Sequence, residues 1–188
     1  MRALIVYESM YGNTHAIAAQ IANGMRAALG EVELVAAHEV TREQVAVADV
    51  LVVGGPTHAH GMTSAATRRS ARDTAHKPDS ALVLETEIDG PGLRDWFDGL
   101  GQITGTRAAA FDTRIDASML VTGHASKGIS HRLRRHGCVL IAEPESFLVT
   151  KTSELVAGEP ERAKHWGHAL ALAVTPAHEV KGSDDGKH

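Results

Sequence analysis

Aromatic residues make up only 4% of the 188, so any ligand site in this chain has little stacking surface to offer. A single cysteine, Cys138, excludes an internal disulfide and suits a reducing compartment. The net charge is only −4, which excludes the strong basic field of a dedicated nucleic-acid binder. Long apolar runs are missing too. The apolar start, Met1 to Tyr7, meets Glu8 too soon for a secretion signal or a membrane span, and the expectation is a cytoplasmic protein that engages neither membrane nor nucleic acid. What remains is ordinary for a globular protein: 43% hydrophobic and 22% charged residues, in a length that suits one domain with a self-sufficient core. Histidine, at 12 copies, is abundant.

Apolar, partly β-branched runs at Met1–Tyr7, Val50–Val53, Ala108–Phe111 and Cys138–Ala142 read as strands buried on both faces. Val32–Val35 partly alternates and suits a sheet edge. Between them lie helical segments. Ile17, Ile21, Met25 and Leu29 recur every fourth residue from Thr14 to Leu29, before Gly30. Leu93–Leu100, Ser126–His136 and Pro160–Val174 show similar spacing, the last with Pro160 in its first turn and Pro176 beyond its end. Strands alternating with helices imply parallel strands with helical crossovers. The expected fold is α/β, a doubly wound five-stranded parallel sheet in three layers, spanning residues 1–175 with a polar tail over 176–188. The nearly forty residues between Val53 and Leu93 exceed what a loop and helix need, and long excursions are usually functional. A surface helix over Ser64–His76 and a short strand at Ala81–Leu84 are the candidates within it.

Ligands of open parallel sheets sit at the carboxyl ends of the strands, where the winding reverses. The loop after the first strand, Ser9 Met10 Tyr11 Gly12 Asn13 Thr14, combines hydroxyls, an amide and a flexible glycine at a helix N-terminus, which makes an anion site without Lys or Arg. The Walker lysine and the Gly-x-Gly-x-x-Gly of dinucleotide folds are both missing, leaving a monophosphate cradle. An ordinary capped turn is the bland alternative.

This loop resembles the phosphate loop of flavodoxins, Ser/Thr-x-Thr-Gly-x-Thr, with Tyr11 in place of a short hydroxyl. The run Gly54–Met62 stands where that family places the loop edging the flavin ring, and Ala108–Arg114 where it places the opposite loop. With Gly92–Trp96 and Glu145–Phe147, the sequence is similar to a flavodoxin-like group of high-GC actinobacteria. The resemblance implies strand order 2-1-3-4-5 and FMN as cofactor. It places the phosphate at Ser9–Thr14 and the ring between Pro56, Thr57, His58, Ala59, His60 and Gly61 on one side and Asp112, Thr113 and Arg114 on the other. Neither Pro56–Met62 nor Asp112–Arg114 carries a Phe, Tyr or Trp, so His58, His60, Met62 and the stem of Arg114 are the packing candidates, and His58, His60 and Arg114 would bring positive charge to the flavin.

The implied function is electron transfer by bound FMN, with a redox partner protein or NAD(P)H supplying electrons and the chain working as a monomer or homodimer. Two alternatives stand beside it: an FMN-dependent NAD(P)H oxidoreductase of quinone-reductase type, and an interaction module of the same fold with weak or lost FMN binding. A phosphoreceiver fits poorly, since Glu8 is followed by Ser9 and the third strand ends in Gly54 Gly55 Pro56. The pairs His58-x-His60 and His165-x-x-His168 have metal-ligand spacing but no converging partners. Cys138 reads as a small buried hydrophobe. The clusters Arg68, Arg69, Arg72 and Arg132, Arg134, Arg135 read as solvated helix faces.

Overall fold

A computed structural model describes residues 1–58, 61–80, 82–85, 90–118 and 122–175. Four long strands carry the sheet: β1 (Arg2–Tyr7), β2 (Glu31–Ala36), β3 (Val50–His58) and β5 (Arg107–Ile115). They pair in parallel in the order β2-β1-β3-β5. The fifth position is shared by two short strands. β6 (Val139–Leu140) pairs with the start of β5, and β7 (Glu145–Val149) with its end. The expected strand at Cys138–Ala142 is therefore shorter and broken, with Pro144 in the interruption, where it offers no N–H to a ladder. Counted by position, the order follows the expected 2-1-3-4-5. Among the described residues the sheet has seven strands rather than five, because the fifth position is split and a two-residue strand, Gly61–Met62, pairs antiparallel with β3.

Both faces of the sheet are covered, which is why its strands read as unbroken apolar runs. Helices α1 (Asn13–Arg26) and α6 (Glu159–Val174) pack Ile17, Ile21, Ala163 and Leu170 against Ala3, Ile5, Val52 and Phe111. On the other face, α2 (Arg42–Ala46), α4 (Leu93–Leu100) and α5 (Ala125–Arg135) pack Val45, Phe97, Ile129 and Leu133 against Leu4, Val6, Leu51 and Ala110. Each Val, Leu, Ile or Phe side chain among these, fully buried, stabilises the fold by about 1.5–3 kcal/mol. The three alanines 108–110 keep β5 slim, and Phe111 fills the space above Gly54, where a Cβ would lie 2.0 Å from its ring. Cys138 is buried, and burial pushes its thiol up to about 11. No helix among the described residues is long and apolar enough to cross a membrane.

The excursion after β3 is partly ordered structure. β3 runs on to His58 and pairs antiparallel with β4 (Gly61–Met62), and α3 (Ala65–Ala75) follows behind the capping residue Ser64. Residues 82–85 form no strand, contrary to the expectation at Ala81–Leu84, of which Ala81 lies outside the described residues. They cross the loop after β1 instead, where the Glu85 N–H donates to the Met10 carbonyl at 2.9 Å. Arg68 corrects a second expectation. Only 9% exposed, it lies 3.6 Å from Glu8 and 3.2 Å from Asp95, because the buried Glu8 carboxylate requires a nearby cation. The expected tail, 176–188, lies outside the described residues, apart from which α6 ends at Val174.

Candidate functional site

The carboxyl ends of β1, β3, β5 and β7 surround a cavity of about 450 Å³, within the roughly 300–1,000 Å³ range of small-molecule sites. It opens beside the point between β1 and β3 where the winding reverses. Ser9, Met10, Tyr11, Asn13 and Thr14 line it from the first loop, Pro56, Thr57 and His58 from the end of β3, and Thr113 and Arg114 from β5. The structure thus brings ten of the fifteen expected residues together. Ala59 and His60 lie outside the described residues. The other three are not part of the lining. Gly12 precedes α1 with φ of +85°, a turn that favours glycine. Gly61 pairs with His58 in the hairpin. Asp112 is fully buried, and its carboxylate accepts the Ser126 N–H at 2.8 Å, at the start of α5.

Ring-packing candidates are also redistributed. Met62 is 7% exposed and belongs to the core around α5, near Gly128 rather than at the cavity. Arg114 lines the cavity, but its guanidinium donates to the carbonyls of Ile115 and Ala117 at 3.3 and 2.9 Å, holding its own loop. Burial lowers the His58 pKa, partly opposed by Glu8, so at neutral pH this imidazole is uncharged and does not supply the expected positive charge. Among the described lining residues there is no carboxylate, and Tyr11 is the one aromatic.

The first loop meets the test of an anion cradle. In α2, α3, α4 and α5 an N-terminal N–H is accepted by a side chain: Thr41, Ser64, Glu8, and Thr57 with Asp112. No side chain caps α1 or α6, and of these two only α1 starts in the cavity lining. At its mouth the buried Ser9 hydroxyl has no hydrogen-bond partner. Free helix N–H groups beside an unengaged buried hydroxyl fit an oxyanion. Other loop groups are engaged within the protein. The Tyr11 hydroxyl donates to the Ala71 carbonyl at 3.1 Å, and the Thr14 and Thr113 hydroxyls share a bond of 2.7 Å. The Asn13 amide donates to both the carbonyl and the hydroxyl of Ser153, at 2.9 and 3.1 Å.

Ser153 belongs to a part of the site that sequence reasoning missed. Val149, Thr150, Lys151 and Ser153, with Leu82, Ile115, Ala117 and Thr122, complete the lining. The turn is tight: the Ser153 N–H donates to the Thr150 carbonyl at 3.1 Å, and Ser153 holds φ of +63°, the only positive value outside glycine among the described residues. Among those residues no group of three or more His, Cys, Asp or Glu is placed to hold a metal ion.

A doubly wound sheet with an uncapped helix N-terminus after its first strand defines a class of phosphate-anchored cofactor binders. Comparison with known proteins makes the assignment specific. The sequence pattern of the flavodoxin family matches residues 5–111, and the chain belongs to that family. Among solved structures, flavodoxin 1 from Bacillus cereus aligns with a TM-score of 0.65 at 18% identity, over 93% of this chain and 99% of that one. A flavodoxin from the domain Archaea aligns at 0.61 and 21% identity, over 92% and 97%. A flavodoxin, WrbA-like protein from Agrobacterium tumefaciens aligns at 0.57 and 20%, over 92% and 96%. No curated protein sequence matches the chain. Proteins of the flavodoxin family bind FMN.

Proposed function

We propose that this protein binds FMN in the cavity at the strand ends and acts in electron transfer. The observation that carries the reading is the uncapped start of α1 beside the unpartnered Ser9 hydroxyl, opening onto a cavity of about 450 Å³. Bound FMN would supply the redox chemistry, taking up one or two electrons. The N–H groups at the start of α1 and the Ser9 hydroxyl hold the phosphate. Met10, Pro56, His58 and Ile115 offer apolar and imidazole surface to the ring and exclude water from it. The backbone of Thr57 and His58, fixed by pairing with β4, edges the ring and orients it.

A second reading, an FMN-dependent NAD(P)H oxidoreductase, is favoured by one observation. The lining described offers no aromatic ring besides Tyr11, so the flavin face has room for a nicotinamide or a small acceptor. One set of measurements tests both. Titration of the purified chain with FMN is expected to quench flavin fluorescence at one equivalent per chain, and absence of saturable binding overturns both readings. Anaerobic addition of NADPH then separates them. Rapid bleaching of the flavin band without a reductase supports the oxidoreductase, and bleaching only when a reductase is added supports the carrier.

A further inference from the structure

We infer that Lys151, on the turn after β7, is the counter-charge that recognises the phosphate of the bound flavin. This rests on the FMN reading and extends it to a residue outside the phosphate loop.

The loop itself has no cationic residue, and a phosphate monoester brings between one and two negative charges at neutral pH. Its side-chain donors are largely engaged. Tyr11 donates to Ala71, the Asn13 amide donates to the carbonyl and hydroxyl of Ser153, and Thr14 shares its hydroxyl bond with Thr113. The Asn13 bonds fasten the turn 150–153 to the loop. Lys151 is two residues from Ser153, a Cα separation of no more than about 7 Å, and a lysine side chain covers a similar distance. It lines the same cavity as Ser9 and Thr14.

Two other side chains that can carry positive charge line the cavity. The Arg114 guanidinium keeps its charge but is tied through Nη1 to the carbonyls of Ile115 and Ala117, with its Nε buried and unpartnered, and burial lowers the His58 pKa. Among the described residues Lys151 makes no ion pair, so its ammonium is available to the ligand. The strained turn supports the same assignment. Ser153 holds a left-handed conformation that the Asn13 amide stabilises from the phosphate loop, which fixes where Lys151 leaves the backbone.

The test compares FMN with riboflavin, which lacks the phosphate, by fluorescence titration of the full chain. Lys151→Met retains the aliphatic stem on an exposed residue and is expected to fold normally, which far-UV circular dichroism checks. It should weaken FMN binding by about tenfold and leave riboflavin binding unchanged. Lys151→Arg should restore most of the FMN affinity. Added salt should weaken FMN binding by the wild type more than by Lys151→Met. Unchanged FMN affinity in Lys151→Met overturns the inference while leaving the FMN reading intact. Equal losses for FMN and riboflavin also overturn it, since the lysine would then only shape the turn. If the wild type binds no FMN, the proposed function itself falls, and this inference falls with it.

Discussion

The hydroxyls of Thr14 and Thr113 meet at 2.7 Å, both buried, and join the first turn of α1 to the end of β5 across 99 residues of chain. Each satisfies the other where little of either side chain is exposed. Thr113→Val should therefore cost about 1–3 kcal/mol, because it leaves the Thr14 hydroxyl buried and unpaired. The double variant Thr14→Val/Thr113→Val should cost less than the sum of the two single changes. Urea denaturation of the four proteins measures the coupling, and strictly additive losses would refute it.

Ser153 offers a cleaner separation of strain from bonding. Ala and Gly at this position both remove the hydroxyl that Asn13 donates to, but only Gly is at ease with φ of +63°. Ser153→Gly should be more stable than Ser153→Ala by about 1 kcal/mol. Thermal unfolding of the two variants decides it, and equal midpoints would mean that the turn relaxes without strain.

At Gly167 the limit is space. A Cβ there would lie 2.2 Å from the Ile21 carbonyl oxygen of α1, and one at Gly24 would lie 1.9 Å from the Lys164 carbonyl oxygen of α6. Both obstacles are backbone, which cannot rotate away. Gly167→Ala should lose about 1–3 kcal/mol by overpacking, despite alanine's better helix propensity. A gain in denaturation midpoint would show that the two helices separate without cost.

His58 predicts a pH dependence. Burial lowers its folded-state pKa below the ordinary value of 6.5. Well above that pH neither state binds the proton, and the group makes no difference. As the pH falls through the unfolded-state value, the unfolded chain is protonated first, so stability is lost until the folded-state pKa is reached. His58→Gln should flatten the profile of unfolding free energy between pH 7.5 and 5. If the variant and the wild type lose stability in parallel, burial of His58 is not the cause.

The parts of this protein that were legible in its sequence are those written locally. Leu4 to Val6 and Leu51 to Val53 are apolar without alternation because the sheet is covered on both faces, and that gives the strands and their class. Gly12 beside hydroxyl residues after the first strand marks the anion loop for the same reason. What depends on distant partners was not legible. Arg68 reads as solvated because its ion-pair partner Glu8 comes 60 residues earlier in the chain, and nothing local announces it. Asp112 reads as a ligand residue but serves the N-terminus of α5. Asn13 reads as part of the anion loop, and nothing local announces that its amide also donates to a serine 140 residues away. The turn at Lys151 and Ser153 carries no motif, and it reaches the cavity at the end of β7, a strand that pairs with the end of β5.

That 140-residue span also governs the order of assembly. The anion loop follows the first strand and is made before the other strands, whereas the turn that Asn13 grips leaves the ribosome only after nearly all of the sheet. The helix that packs against α1 comes later still. Contacts this distant are slow to close, because a long loop must be ordered before they form. A nascent chain thus has its anion loop long before it has the wall opposite, so a ligand that needs both can be enclosed only once the turn at Ser153 has been made.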